Sequence, residues 1–219
     1  MKTWVLAKSV KGVPLEVFQH GLGTQEYIHI YGGFHGDEPE SVDLAKQLNK
    51  YFEFHDVTMP HQSIIVVPVA NPDGYSKNQR VNAHGVDLNR NFPTKNWTPH
   101  HTEPKYFPGK KPASEPEVKG FISLIKSCPP RKIISIHSLI PHQINYDGPG
   151  KKMAEAMAKH NRYPVTEHIG YPTPGSLGDY GAQELGVPVV TYELPEKISS
   201  EQAWKDSLEA FLEAIRFKI

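Results

Sequence analysis

Cysteine is almost missing from this chain: Cys128 stands alone among 219 residues. That excludes an internal disulfide framework and any zinc or iron–sulfur site built on several thiolates, and it fits a reducing compartment. An excess of one charge is missing too. The 24 Lys and Arg balance 24 Asp and Glu, which leaves no basic field for a nucleic-acid backbone and no cationic face for an anionic membrane. Long apolar runs are also absent. The run nearest the start, Trp4–Ala7, is four residues long, against the roughly 7–15 of a signal-peptide core. No segment approaches the ~20 apolar residues of a membrane span. The expectation is a cytoplasmic protein without nucleic-acid or membrane partners.

Histidine and proline are abundant instead, at 12 and 20 residues. The first raises the question of a metal and the second predicts many ordered loops. With 38% hydrophobic residues, a chain of this length can bury one full core without staples, so residues 1–219 read as a single domain. Apolar runs bounded by turn residues alternate with helical patterns. Val13–His20 and Tyr27–Gly32 read as strands. Glu38–Tyr51 follows as a helix, with Val42, Ala45, Leu48 and Phe52 on one face. Ser63–Ala70, Arg131–Ser138 and Val187–Glu193 are β-branched runs of the kind buried on both faces. From Ser76 to Ala113 there is no clear period and much proline, the mark of a functional loop. Ser114 is expected to cap the next helix, Lys151–His160 reads as another, and Ser199 caps a last amphipathic one ending near Phe217. An exposed face on that helix could support a homodimer. The alternation argues for an α/β fold with helices over a largely parallel or mixed sheet, and its chemistry belongs beyond the carboxyl ends of the strands.

Three polar groups close apolar runs. His35 and Glu38 follow Tyr27–Gly32 through a Gly-Gly turn, His137 closes RKIISIHS, and Glu193 closes VPVVTYE. A His and a Glu three apart at a strand-to-helix junction can bend onto one cation. With a second His they form a His₂Glu set with one position left for water, which is a catalytic zinc arrangement. Chance gives HxxE often, and a histidine at a strand end is usually a satisfied polar group. Asp37 is the rival ligand, but adjacent residues point apart, so one of Asp37 and Glu38 is expected to reach the metal. The segment Arg80–Pro93 (RVNAHGVDLNRNFP) adds two arginines and several asparagines. A guanidinium fork suits a carboxylate, while the bland alternative is a solvated loop.

HGDE, NPDG, RxNxxGVDLNRNFP, IHS and a strand-closing glutamate, in this order, resemble the zinc carboxypeptidase family. Within it the sequence is similar to the bacterial murein peptide amidases, through HGDEP, RVNAHGVDLNRNFPTKNW, GKKPASEPE, IGYPTPGSLG and YELPEKISSEQA. The resemblance covers roughly Ile30–Ala203. It implies an α/β sandwich around a mixed eight-stranded sheet, with helices on both faces. It also implies one Zn²⁺ per chain held by His35, Glu38 and His137, with Glu193 as general base and acid. Arg80 would polarise the scissile carbonyl, and Asn89 and Arg90 would hold the terminal carboxylate of the substrate. The implied substrate is the murein tripeptide L-Ala-γ-D-Glu-meso-diaminopimelate, cut at the D-glutamyl side-chain amide. Tyr171, Ser176, Leu177 and Asp179 would then belong to the substrate pocket. Asp179 is expected to meet the distal ammonium of diaminopimelate, or alternatively to cap a helix over Tyr180–Leu185. Tyr171 lies 22 residues before Glu193, near the spacing of a mobile tyrosine in the digestive members, but the stretch between does not match theirs cleanly.

Two rival readings stay open. A zinc peptidase on ordinary L-peptides, or an N-acyl amino acid deacylase, would keep the metal and change the substrate. The complete Asn-Arg-Asn-Phe loop argues against the deacylase. A silent peptide-binding domain would keep the fold and the carboxylate clamp, but such proteins usually lack a ligand or the base, and here all five of His35, Glu38, His137, Arg80 and Glu193 are present.

Overall fold

The β-branched runs do form the middle of a sheet. In the computed structural model, which describes residues 1–22, 26–58 and 61–218, the strands are β1 (Lys2–Lys8), β2 (Pro14–His20), β3 (Glu26–Tyr31), β4 (Gln62–Val67), β5 (Pro130–Ser138), β6 (Gln143–Asp147), β7 (Val165–Thr166) and β8 (Val189–Leu194). They pair in the order β1-β2-β4-β3-β5-β8-β6-β7, giving one eight-stranded sheet. The four central strands, β4, β3, β5 and β8, run parallel. Antiparallel pairings attach β2 to β4 and β6 to β8, so the sheet is mixed, as expected.

Two proline residues trim the expected strands. Pro68 and Pro188 carry no N–H for a ladder, and β4 ends at Val67 while β8 begins at Val189. Strands β1 and β6 had no counterpart in the sequence reading. The first is a half-exposed edge strand, and the second is five residues long, too short to show a period against its neighbours.

The helices are α1 (Pro39–Phe54), α2 (Pro72–Tyr75), α3 (Pro116–Ser127), α4 (Lys151–Asn161), α5 (Leu177–Asp179) and α6 (Ser200–Arg216). Alternate strand residues face opposite sides of a sheet, and the core divides accordingly. Ile64, Ile134, Val190 and Tyr192 pack under α1, α4 and α6. Ile65, Val67, Ile133 and Val189 pack under α3 together with Leu88 and Phe92, which come from the long loop. The predicted α1 face, Val42, Ala45, Leu48 and Phe52, is buried throughout.

Ser199 caps α6 by accepting a hydrogen bond from the Gln202 amide at 3.2 Å. Ser114 does not cap α3, whose N-cap is Glu115. Its hydroxyl instead donates to the Glu115 carboxylate at 2.6 Å and accepts from Asn91 Nδ2 at 3.0 Å. Asn91 also donates to the Pro108 carbonyl and accepts from the Glu115 amide. One buried amide thus staples the proline-rich loop to the start of α3.

The chain leaves β3 for β4 on one side, while β5 lies on the other. Such a reversal opens a crevice at the carboxyl ends of the strands. His35 enters it after Gly33, whose φ of +68° suits glycine. Gly36 meets the α2 segment so closely that an added Cβ would lie 2.1 Å from the Gly74 carbonyl carbon and 2.2 Å from the Tyr75 amide nitrogen. Backbone on that side cannot rotate away. Gly36→Ala should therefore destabilise the fold by about 2–3 kcal/mol, read as a lower denaturant midpoint; an unchanged midpoint would contradict this packing.

Candidate active site

His35 and Glu38 lie in the turn between β3 and α1, and His137 lies near the end of β5. All three are buried. His35 Nδ1 is 2.6 Å from Glu38 Oε1, and His137 Nδ1 is 2.9 Å from Glu38 Oε2. The two imidazole nitrogens face each other at 3.1 Å. One donor atom from each of the three residues falls within 4.8 Å of the others, a group able to hold a metal ion. Glu38 is the acid in this group, while Asp37 is exposed.

The far side of each ring is held. His35 Nε2 lies 3.2 Å from Asp87 Oδ1, and His137 Nε2 lies 3.0 Å from Ser135 Oγ. These partners aim both Nδ1 atoms at the shared point. Phe34 stacks on His137 at 6.3 Å with a 10° tilt. Asp87 is completely buried and receives two bonds from Arg80, from Nε at 3.0 Å and Nη2 at 2.9 Å. Burial alone would raise its carboxyl, but Arg80, His35 and Arg90 hold it far below the ordinary range. Sequence reasoning passed over Asp87, although it stands in the same motif as Asn89 and Arg90.

Burial and Arg80 oppose a proton on His35. Glu38 and Asp87 outweigh them, and its pKa rises above the usual value. Burial lowers that of His137. Burial would also raise Glu38, but the two imidazoles pull it well below the ordinary carboxylate range.

Glu193 pairs with His137 across β8 and β5. Its carboxylate receives no hydrogen bond from the described residues and faces a cavity of about 430 Å³. Burial, then the charge of Glu38, push its pKa up to about 8. Asn89 and Arg90 line the same cavity. Asn89 Oδ1 accepts from the Leu177 amide at 2.9 Å, which leaves its amide hydrogens for the cavity. Tyr106, unnoticed in the sequence, lies over both guanidinium groups, 5.2 Å from Arg80 and 6.0 Å from Arg90. Nothing in an aperiodic loop marks which aromatic residue will fold back in this way.

Tyr171 and Ser176 also line the cavity. Tyr171 neighbours Tyr106, with ring centroids 6.3 Å apart. Two expectations need correction. Leu177 is 1% exposed and packs into the core with Phe92 and Tyr180, so its side chain is unavailable to substrate and its amide anchors Asn89. Asp179 is absent from the lining of this cavity. Its carboxylate accepts from Asn96 Nδ2 and Gln183 Nε2, both at 2.8 Å. Asp179 does stand before a helical turn, Tyr180–Glu184, but its side chain makes no capping hydrogen bond there, and Ser176 caps the preceding turn by accepting from the Asp179 amide.

Residues 1–143 match the family model of the zinc carboxypeptidases. The chain belongs to the zinc carboxypeptidase family. It is accordingly a hydrolase. It is 33% identical to a murein peptide amidase A of Escherichia coli over 96% of this chain and 88% of that protein, and 33% identical to one of Vibrio campbellii over 94% and 84%. The crystal structure of the murein-tripeptide amidase of Escherichia coli superposes with a TM-score of 0.80 at 30% identity, covering all of this chain and 93% of that one. A carboxypeptidase A from Helicoverpa armigera shares the fold, with a TM-score of 0.84 at 20% identity over 98% and 68%. Among the described residues no helix is long and apolar enough to cross a membrane.

The Asp87 carboxyl fixes a stability prediction. Its folded pKa is depressed, so its contribution is complete above the unfolded value of about 3.9 and fades as pH falls below it. Asp87→Asn takes from the half-buried Arg80 its nearest counter-charge and should cost about 3 kcal/mol at neutral pH. Denaturant unfolding between neutral and acid pH checks both: the gap between variant and wild type should narrow as pH drops, and a gap independent of pH would contradict the pairing.

Proposed function

We propose that this family member is a zinc-dependent exopeptidase that hydrolyses the γ-D-glutamyl–diaminopimelate bond of small murein peptides in the cytoplasm. The observation that carries the chemistry is one cavity with a His-Glu-His donor set, an unpartnered glutamate beside it, and two arginines facing it. The substrate class rests on the similarity to murein peptide amidases over nearly the whole chain.

His35, Glu38 and His137 would hold the metal. Two imidazoles and one carboxylate, with space left toward a cavity, fit the donor set of a catalytic zinc and leave a fourth position open. One ion per chain follows, since this is the single such group among the described residues. When bound, zinc supplies Lewis acidity, which polarises a carbonyl and brings the pKa of water to about 7.

The remaining steps fall to side chains. Glu193 takes a proton from the attacking water and delivers it to the leaving amine. With no hydrogen bond of its own to break, its carboxylate is free to do both. Arg80 is pinned to Asp87 through Nε and Nη2, which leaves Nη1 toward the cavity, 3.7 Å from Glu38 Oε1. There it can meet charge developing on the carbonyl oxygen, a role worth about 3 kcal/mol for a well-placed donor. Arg90 and Asn89 read the terminal carboxylate, so the bond cut is the one next to the chain end. Tyr171 covers the bound residue from the rim.

Release of diaminopimelate from L-Ala-γ-D-Glu-meso-diaminopimelate tests the reading. Release should stop on chelation and return with zinc. Glu193→Gln should lower the rate by about 10²–10⁴-fold while keeping its metal. Cleavage of a blocked L-dipeptide in place of the murein peptide would overturn the substrate and leave the metal site standing.

A second outcome follows from the raised pKa of His35. Ligands must be deprotonated to bind a metal, so zinc added to metal-free protein in weak buffer should acidify the solution, and affinity should rise with pH. Uptake without proton release would contradict the assignment of His35.

A further inference from the structure

We propose that Lys197 pairs with a free carboxylate on the acyl residue of the substrate, the charge that a γ-linked glutamyl residue carries beside the bond to be cut. The proposal rests on the functional reading above and names the group that separates this substrate from one amidated at that carboxylate.

Lys197 stands four residues past Glu193, in the turn that follows β8. Its backbone is left-handed, with a φ of +61°. That conformation costs an L-residue free energy and persists where the surroundings fix it. Here the Lys197 amide donates to Glu40 Oε1 at 2.6 Å, and Glu40 Oε2 accepts from Ser138 Oγ at 3.3 Å. The Ser138 amide in turn donates to Glu38 Oε2 at 3.3 Å. Hydrogen bonds in series thus tie this turn to the donor set.

The amine side of the substrate ends elsewhere, at Arg90 and Asn89, and Asn89 is anchored to Leu177. A substrate held there by its terminal carboxylate, with its scissile carbonyl at the donor set, has its acyl residue left to continue past Glu38 and His137. Ser138, Glu40 and Lys197 line the cavity on that path.

The charges point the same way. Arg80, Arg90, Lys105 and Lys197 are the Lys and Arg residues lining the cavity. Arg80 is pinned to Asp87, Lys105 pairs with Glu103 at 3.3 Å, and Arg90 is assigned to the terminal carboxylate. The Lys197 ammonium has no ion-pair partner among the described residues. Glu40 engages its backbone, and the side chain stands exposed at the rim. An α-linked peptide spends the carboxyl of its acyl residue in the scissile bond and brings no negative charge here. A γ-linked glutamyl residue keeps its α-carboxylate, a short aliphatic chain away from the scissile carbonyl. An ammonium on a flexible stem suits a carboxylate whose position such a chain leaves loose.

The test compares L-Ala-γ-D-Glu-meso-diaminopimelate with the same tripeptide amidated at the α-carboxyl of the D-glutamyl residue. Wild-type protein should favour the free acid by about fivefold in kcat/KM, the size of one exposed charge pair. The preference should shrink in about 1 M salt, where the screening length falls to about 3 Å. Lys197→Met should bring the ratio close to one while zinc content and melting temperature stay as in wild type, and Lys197→Arg should keep most of it. Lys105→Met should leave the ratio near the wild-type value. Equal hydrolysis of the two peptides by wild type, an unchanged ratio in K197M, or a collapse in K105M in its place overturns the assignment of Lys197 alone. Hydrolysis of neither peptide by wild type overturns the functional reading, and this inference with it.

Discussion

A carboxylate buried between two imidazoles needs positive charge beside it, and the architecture around the cavity answers that need. Glu38 is 8% exposed and bonds to both His35 and His137. Isolated, a buried carboxylate would take up a proton. Here the charge balance extends outward through His35 to Asp87 and from Asp87 to Arg80, whose remaining nitrogen returns toward Glu38. The loop is closed. Because each member is the partner of the next, the positions of a ring nitrogen, a carboxylate and a guanidinium are set together.

The fold supplies the elements that this loop connects. His35 comes from the end of β3, His137 from the end of β5, and Glu193 from the end of β8, three adjacent parallel strands. Arg80 and Asp87 come from a long segment that the sheet does not order by itself. That segment is fixed by buried polar residues. Asn91 staples it to residues 108–115, and Asn82 ties it to Glu115 and Glu117 at the start of α3. Leu88 and Phe92 plug it into the core on the same face. Rigid strands thus place the donors and the base, while a stapled loop brings the arginines into the same cavity.

Much of this was legible in the sequence. The β-branched runs gave the central strands, and the groups at their ends gave His35, Glu38, His137 and Glu193. The register of β5 on β8, which sets His137 beside Glu193, follows from both groups closing their strands. The arginines were legible as a type of chemistry, because a guanidinium beside asparagines suggests an anion. Residues whose role depends on long-range packing were not. Asp87 matters through two partners that sequence spacing does not reveal. Tyr106 folds over the arginines from an aperiodic loop, and β6 is too short to betray a strand, so its cavity-lining residues stayed hidden with it. Leu177 and Asp179 show the converse error. Their glycine-rich stretch does border the cavity, but the first side chain turns into the core and the second toward Asn96 and Gln183.

The claim on which the account depends is that His35, Glu38 and His137 share one ion, and zinc X-ray absorption of the purified protein tests it most directly. The account predicts one zinc per chain with nitrogen and oxygen neighbours at about 2.0–2.2 Å, lost when His137 is replaced by alanine. Sulfur at about 2.3 Å, which would point to Cys128, or a spectrum unchanged in that variant, would contradict it.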